Sequence, residues 1–257
     1  MMSEELKNEA NKTPGENNSA LTDSAMLNVD NITSGYGPVE VLFDASIEVN
    51  KGEFVVVIGP NGAGKTTLMR SIVGVIRPSK GTVTFEGQDI TGSRPEGVLA
   101  RGISYIPQEG KIFPDISVID NLRVGGYTYQ GDLDERLQAV YDLFPVLEDR
   151  LEQEAGSLSG GQRQMVAIAR GLMVDPDFII LDEPTSGLQP SLVTDVLDRV
   201  KKLQEEGNIT ILQVAQTEEA IPRANRGYLM RAGEVLLGDT TDKLLDREEV
   251  MSLYFGG

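Results

Sequence analysis

The sequence predicts an α/β fold with a mainly parallel sheet at its core. Two runs, Phe54–Ile58 and 178–181, are continuously apolar, as in strands that are buried on both faces. Segments with helical spacing of apolar residues alternate with strand-like runs, a pattern typical of parallel sheets. A longer stretch, from about 105 to 171, is mostly helical in pattern. It predicts a helical subdomain inserted between two strands.

Residues 1–24 are polar and contain too little apolar side chain to offset the entropy lost on ordering. They are predicted to form a disordered acidic tail before an ordered domain over 25–257. In that domain, strands are predicted at 27–32, 39–49, 54–58, 82–85, 102–106, 178–181 and 209–214, with a hairpin over 228–237. Helices are predicted at 66–75, 118–124, 134–144, 162–173 and 193–204.

Composition excludes several classes of site. The 257 residues are 40% hydrophobic and 25% charged, with no Cys and no His. Disulfides, thiolate metal sites, cysteine nucleophiles and Ser-His-Asp triads are therefore excluded. The longest apolar runs are far shorter than the ~20 residues that a bilayer span needs, and no N-terminal segment resembles an export signal.

The formal net charge of −17 argues against a sequence-independent nucleic-acid binder, which needs basic patches. Two interpretations of the acidity are open. It can be an ordinary solubility surface, or it can belong to a halophile, in whose salty cytoplasm the self-repulsion is screened. Stability that rises steeply with KCl would favour the halophile, and full stability in dilute buffer would exclude it.

A glycine-rich loop follows the first buried strand and leads into a predicted helix. It has the form G-x-x-x-x-G-K-[ST] and reads Gly59-Pro60-Asn61-Gly62-Ala63-Gly64-Lys65-Thr66. Glycines let backbone N–H groups approach phosphate oxygens, and a helix N-terminus favours an anion. Lys65 is expected to reach the β- and γ-phosphates, Thr66 to hold Mg²⁺, and Thr67 to complete the phosphate-binding set. The loop predicts nucleotide binding.

Two adjacent acids, Asp182 and Glu183, end the second buried strand. A carboxylate at such a strand end can hold magnesium, directly or through water, and Asp182 is predicted to do so. Glu183 faces a different direction, so it is predicted to orient or deprotonate a water aimed at the γ-phosphorus. A solvated acidic turn before Pro184 is the alternative, which the nearby phosphate loop disfavours.

A third motif precedes the helix predicted at 162–173 and reads Leu158-Ser159-Gly160-Gly161-Gln162. A Ser-Gly-Gly turn alone is a common helix start with a capping serine. Between a phosphate loop and an apolar strand that ends in Asp-Glu, it is highly specific. The chain here resembles the ATP-binding subunit of ABC transporters, over about 26–257. The resemblance implies a P-loop ATPase fold with a parallel core, an antiparallel β subdomain and a helical subdomain, which hydrolyses ATP with Mg²⁺.

The resemblance also assigns roles to single residues. Tyr36 matches the aromatic residue that stacks on adenine, and Gln108 matches the glutamine that touches Mg²⁺ and the attacking water. Residues 159–162, named here the signature, would contact the γ-phosphate held by a partner's loop. One chain cannot fold its signature over its own phosphate loop. Two cassettes are therefore expected to meet head to tail, with ATP in the interface.

Two positions depart from the commonest ABC pattern. Gln216 stands where the switch histidine is expected, and Gln189 stands where the D-loop has aspartate. Glutamine can donate a hydrogen bond to the γ-phosphate but cannot carry a proton's charge. Both departures resemble the smaller ATPase subunit of branched-chain amino acid importers, and also urea and short-amide importers. Further matching stretches are 85–92, 111–114 and 253–257.

This subgroup resemblance implies a set of partners: a second, non-identical ATPase subunit, two membrane permease subunits and, indirectly, an external solute-binding protein, with no nucleic acid. It implies a peripheral position on the cytoplasmic face of the cell membrane. A soluble ABC ATPase acting on nucleic acid or ribosomes is the alternative class, which the single cassette and the net charge disfavour. A monomeric P-loop kinase or GTPase would lack the signature.

A permease helix needs a groove, which is expected between the two lobes around 108–114. Ile112 and Phe113, flanked by Lys111 and Asp115, are candidates for its lining. The alternative is that both apolar residues belong to the core of the helical lobe.

Overall fold

The computed structural model describes residues 25–108, 112–216 and 218–246. These form two sheets. The first is antiparallel, in the order β2-β1-β4-β5, and consists of β1 (Ala25–Tyr36), β2 (Val39–Asn50), β4 (Lys80–Phe85) and β5 (Gln88–Asp89). The second has the order β10-β9-β3-β8-β7-β6 and consists of β3 (Phe54–Ile58), β6 (Ile103–Ile106), β7 (Phe178–Asp182), β8 (Thr210–Val214), β9 (Arg226–Arg231) and β10 (Glu234–Thr240). Its pairs are parallel except β9 with β10.

The helices surround the second sheet. They are α1 (Lys65–Ile72), α2 (Pro95–Leu99), α3 (Val118–Gly125), α4 (Leu133–Leu143), α5 (Pro145–Glu148), α6 (Gly160–Leu172), α7 (Pro190–Glu205) and α8 (Thr241–Leu245), with 3-10 turns at Ala155–Ser157 and Glu218–Arg223. Helices α3 to α6 lie in sequence between β6 and β7. This placement gives the described chain a helical region beside the sheet.

Burial explains why β3 is continuously apolar. Its alternate residues enter two different cores: Phe54, Val56 and Ile58 pack with the helical region, whereas Val55 and Val57 pack between the two sheets. Because the side chains on both faces of this strand are buried, the residues that point to either face must be apolar. The prediction of a parallel, doubly covered sheet is confirmed.

Some boundaries differ from the predictions. The helix predicted at 66–75 ends at Ile72, because Gly74 turns the chain at a positive φ of 75°. A Cβ there would lie 1.8 Å from the Ser93 carbonyl oxygen. The predicted helical insert begins at 105, whereas Tyr105 and Ile106 belong to β6. Short elements β5, α2, α5 and α8 were not predicted. The tail over 1–24, Lys111 and the stretch 253–257 lie outside the described residues.

Candidate nucleotide-binding site

The glycine-rich loop lies between β3 and α1, at the carboxyl end of the sheet's central strand. Gly59, Gly62 and Gly64 have φ values of 152°, 81° and 100°, a region that L side chains rarely adopt. Close packing adds a second requirement at Gly59, where a Cβ would lie 2.2 Å from the Met230 carbonyl oxygen. The loop shape therefore depends on glycine at these positions.

Lys65 opens α1, and its side chain folds back over the loop. Its Nζ donates hydrogen bonds to the carbonyl oxygens of Gly59, at 2.6 Å, and Pro60, at 3.1 Å. Burial lowers the pKa of the Lys65 ammonium, while the nearby Glu183 and Asp182 carboxylates act in the opposite direction. A buried cation held inside a loop of backbone donors is suited to bind an anion.

Asp182 is the last residue of β7 and is 1% exposed. Its Oδ1 accepts a hydrogen bond of 3.1 Å from Thr66 Oγ1, and its Oδ2 accepts one of 3.0 Å from Tyr105 Oη. Burial raises the pKa of this carboxyl, and the two hydroxyl donors oppose that shift. A hydroxyl and a carboxylate oxygen side by side are hard ligands of the kind that Mg²⁺ prefers.

Glu183 follows β7 with a φ of 50°, so the chain turns sharply there. Its backbone N–H donates to the Val214 carbonyl oxygen at 3.2 Å. Its Oε2 accepts hydrogen bonds from two amides, Gln108 Nε2 at 2.5 Å and Gln216 Nε2. Gln216 Nε2 also lies 3.4 Å from Oδ1 of Asn61 in the phosphate loop. The three predicted catalytic side chains are thus in contact beside the loop.

Tyr36 ends β1 and is 47% exposed. Its hydroxyl accepts a hydrogen bond of 3.1 Å from Arg70 NH1 on α1. The exposed ring leaves an aromatic surface available near the phosphate loop. The exposed position of the Tyr36 ring is compatible with the predicted stacking on adenine.

The signature lies at the start of α6, where its Gly160 lines a hollow together with Gln108 and Ser186. Ser159 caps the helix, since its Oγ accepts from the Gln162 N–H at 3.3 Å and its own N–H donates to Gln162 Oε1 at 3.0 Å. Gly161 packs so closely on Leu192 that a Cβ would lie 3.0 Å from a methyl group. Within the described residues, no hydrogen bond joins the signature to the phosphate loop.

Three residues near the site were not singled out by the sequence analysis. Tyr105 and Arg70 contact Asp182 and Tyr36 as described, and Val41 lines the same hollow as the phosphate loop and Glu183. Of these three, Tyr105 alone offered a signal in the sequence, because it lies three residues before Gln108; the pairing of its strand with β7 is seen in the structure.

Comparison with known proteins decides the family. The family model described as "ABC transporter" matches residues 42–186, more than half of the chain. The chain belongs to the ABC transporter family. The match runs from β2 through the phosphate loop and the signature to Glu183, so all three motifs of the cassette lie within it.

Three relatives cover nearly the full cassette. The high-affinity branched-chain amino acid transport ATP-binding protein BraG of Pseudomonas aeruginosa is 36% identical over 90% of this chain and all of its own length. The probable branched-chain amino acid transport ATP-binding protein LivF of Archaeoglobus fulgidus is 35% identical over 90% of this chain and 99% of its own. The lipopolysaccharide export ATP-binding protein LptB of Escherichia coli is 34% identical over 90% of this chain and 98% of its own.

Solved structures agree on the fold. The ADP form of MJ1267, an ATP-binding cassette of an ABC transporter, superimposes with a TM-score of 0.82 at 28% identity, covering 91% of this chain and 99% of that one. A dimer of the cassette MJ0796 bound to ADP and phosphate gives a TM-score of 0.74 at 25% identity, covering 84% of this chain and 99% of that one. The cassette is an ATP-binding ATPase with the P-loop ABC fold. No helix among its described residues is long and apolar enough to cross a bilayer.

Proposed function

We propose that this cassette hydrolyses ATP to energise an importer of branched-chain amino acids. One observation supports the catalytic part above all: the Glu183 carboxylate lies between the Gln108 and Gln216 amides, next to the phosphate loop. The similarity to BraG and LivF supports the choice of solute. The proposed domain layout is a tail over 1–24 followed by the cassette over 25–257.

Each side chain receives a role in this proposal. The loop N–H groups and Lys65 bind the β- and γ-phosphates, with Tyr36 stacked on adenine. Thr66, Asp182 and Gln108 would hold Mg²⁺, which neutralises charge on the phosphate oxygens when bound. Glu183 accepts a proton from a water molecule while the oxygen of that water attacks the γ-phosphorus. The bond between the γ-phosphorus and the bridging oxygen of ADP then breaks, and phosphate and ADP are the products. Gln216 donates a hydrogen bond to the γ-phosphate.

The proposed working unit contains two cassettes. The signature makes its hydrogen bonds within its own helix start, so its exposed Ser159 side can meet another molecule's γ-phosphate. A helix N-terminus is a favourable place for that anion. ATP then bridges the two cassettes until the γ-phosphate leaves. Gln189 and Gln216 favour a second, non-identical ATPase subunit, because both departures resemble a subgroup that pairs in this way.

A docking place for the permease is proposed beside the helical region. Phe113 is 48% exposed and lies under the Arg170 guanidinium, 5.0 Å from ring centroid to Cζ. Arg170 also lines a hollow with Ile106, Pro107 and Gly125. Exposure of this size does not suit a core residue, whereas Ile112 is partly buried against the main core. Permease subunits bound in this place on the two cassettes would hold the pair at the cytoplasmic face of the membrane.

The transported solute is tested by reconstitution. The cassette is coexpressed with candidate permeases, a candidate second ATPase and a candidate solute-binding protein from the same genome, and the complex is placed in liposomes. Leucine, isoleucine or valine is expected to stimulate ATP hydrolysis, and Lys65→Ala in the same complex serves as the control. Stimulation by urea or short amides instead would overturn the solute assignment. Assembly with lipopolysaccharide-export components, which the similarity to LptB brings into consideration, would overturn the importer.

A further inference from the structure

Two hydrogen bonds, from Tyr105 to Asp182 and from Arg70 to Tyr36, lie at the two ends of the nucleotide site, and Arg70 and Tyr105 interact with each other between them. Tyr105 lies in β6, and its register partner in β7 is Ile180, two residues before Asp182. Its hydroxyl donates to Asp182 Oδ2 at 3.0 Å. Because β6 and β7 run parallel, the tyrosine ring can reach forward along the strands to the carboxylate. The proposed mechanism of ATP hydrolysis assigns no role to the Tyr105 hydroxyl.

Arg70 continues the connection on the opposite side. It lies one helical turn after Thr66 on α1, so both side chains are on the same face of the helix. Its NH1 donates to the Tyr36 hydroxyl at 3.1 Å, and its guanidinium also interacts with the Tyr105 hydroxyl. The chain of contacts therefore runs from Tyr36 through Arg70 and Tyr105 to Asp182.

The consequence for Asp182 is that each carboxylate oxygen has one hydroxyl donor. Thr66 contacts Oδ1, and Tyr105 contacts Oδ2. A nearly inaccessible carboxylate with donors on both oxygens cannot rotate without losing a hydrogen bond. If Thr66 and Oδ1 of Asp182 held Mg²⁺, the Tyr105 hydroxyl would still hold the other carboxylate oxygen in place.

We propose that Tyr105 is a positioning residue for Asp182, and that Arg70 links this positioning to the adenine-facing Tyr36. These contacts hold the Asp182 carboxylate in one orientation, so that less conformational freedom would be lost when Mg·ATP binds. Occupancy of the adenine end and of the metal end then influence each other through Arg70. This inference rests on the proposed ATPase function and on Asp182 as the magnesium ligand.

Calorimetric binding of ATP tests the proposal in two buffers, one with Mg²⁺ and one with EDTA. Tyr105→Phe keeps the ring and removes only the hydroxyl. It is expected to weaken Mg·ATP binding about tenfold, the scale of one hydrogen bond to a charged group, and to leave ATP binding in EDTA within about twofold of wild type. At saturating Mg²⁺ the hydrolysis rate is expected to recover, with a raised magnesium midpoint.

Tyr228→Phe is the matched control, because it also removes a buried tyrosine hydroxyl but lies outside the chain of contacts. It is expected to leave the ratio of the two affinities unchanged. Arg70→Met tests the link to Tyr105. In the double variant with Tyr105→Phe, the loss of Mg·ATP affinity is expected to be smaller than the sum of the two single losses, because both substitutions remove the interaction between Arg70 and Tyr105.

The outcomes separate this inference from the proposed function. If wild-type protein binds no ATP in either buffer, the proposed function is wrong. If wild-type protein shows magnesium-dependent binding and Tyr105→Phe keeps the same magnesium dependence, the positioning role is wrong. Equal weakening in Mg²⁺ and in EDTA would show a purely structural tyrosine and would also overturn it. Additive losses of Mg·ATP affinity for Arg70→Met and Tyr105→Phe would remove Arg70 from the chain of contacts.

Discussion

The Gln216 amide donates a hydrogen bond to Glu183 Oε2, the oxygen that the Gln108 amide also contacts. The strand order explains why three residues so distant in sequence meet. Strand β7 lies between β8 and β6. Glu183 directly follows β7, while Gln216 and Gln108 each lie two residues beyond a neighbouring strand. In a parallel sheet all these ends share one edge, so the two amides flank the carboxylate.

Replacement of Glu183 by Gln is expected to lower ATP turnover by about 10²- to 10⁴-fold, the usual contribution of a general base. ATP binding should persist, because the phosphate loop is unchanged. Phosphate release from the assembled transporter measures the first effect, and equilibrium nucleotide binding measures the second. Glu234→Gln, at an exposed position on β10, is the matched control. Unchanged turnover in Glu183→Gln would remove the glutamate from catalysis.

Gln216→His is expected to introduce a pH dependence that the wild-type residue cannot have. An amide does not titrate, whereas an imidazole has an unperturbed pKa of about 6.5. Below that pH the imidazolium would form an ion pair with Glu183 and reduce its ability to accept a proton. Because the Glu183 carboxylate favours the imidazolium, the ATPase rate of the variant should rise with pH through a new inflection at or above about 6.5. Gln216→Asn is the control, and superimposable pH profiles for Gln216→His and wild type would contradict the contact.

Much of the fold could be predicted because its strands are buried on both faces. β3 and β7 are continuously apolar, and no other short element produces that pattern so clearly. The missed elements are β5, with two residues, and short helices such as α2, with five. Elements of that length carry less than two turns or two pleats, so their periodicity cannot be seen in the sequence. Their formation depends on packing against the rest of the chain.

The site shows the same division. The phosphate loop and the two acids are local motifs that are visible in the sequence: the loop follows β3, Asp182 ends β7 and Glu183 follows it. The contact between Tyr105 and Asp182, in contrast, depends on which strand lies beside β7, and that order is not written in any local pattern. The same holds for the positive φ of Glu183, since non-glycine residues adopt it only when surrounding structure imposes it.

Phe113→Ala is expected to weaken permease binding and to leave ATP binding intact. The ring is half exposed beside the Arg170 guanidinium, and buried aromatic anchors supply much of the affinity at protein interfaces. Truncation of such an anchor typically costs about 2 kcal/mol, or roughly 30-fold in affinity. Copurification with the permeases measures the loss. Tyr127→Ala, at another exposed aromatic residue, controls for surface truncation, and full retention of binding by Phe113→Ala would contradict the docking place.

Gln213→Leu is expected to stabilise the protein. Gln213 is fully buried in β8, with the apolar Val56 and Leu181 as its register partners, and neither polar atom of its amide has a hydrogen-bond partner within the described residues. An unpaired buried polar group costs about 1–3 kcal/mol, so leucine should raise the free energy of unfolding by a similar amount. Urea denaturation measures it.

The matched control for that substitution is Gln204→Leu on α7. The Gln204 amide donates to the Gly52 carbonyl oxygen at 2.7 Å, so its removal should destabilise the protein. The free energy of unfolding should therefore rise in Gln213→Leu and fall in Gln204→Leu. This difference in sign shows that the gain comes from removing an unpaired amide and not from adding an apolar side chain. Lower stability in Gln213→Leu than in wild type would show that the amide has a partner after all.

Tyr228→Phe is expected to destabilise the protein by about 1–3 kcal/mol, because one hydroxyl joins the two sheets. Its oxygen accepts from the Glu48 N–H at 3.0 Å and donates to the Glu48 carbonyl oxygen at 2.9 Å, linking β9 to β2. Arg226 NH2 donates to the same oxygen at 2.6 Å. Urea denaturation at pH 8 measures the difference from wild type, and equal stability there would contradict the link.

The same tyrosine predicts a change at alkaline pH. Burial raises the pKa of Tyr228 above its ordinary value of 10.0, so the folded state favours the neutral hydroxyl. Its contribution is complete below pH 10 and is lost as the pH rises through the folded-state pKa. The stability difference between wild type and Tyr228→Phe should therefore shrink above pH 10. Tyr127→Phe, at a ring that is 89% exposed, is the control, and its free energy of unfolding should follow that of wild type at every pH. A stability difference between wild type and Tyr228→Phe that stays constant above pH 10 would contradict the prediction.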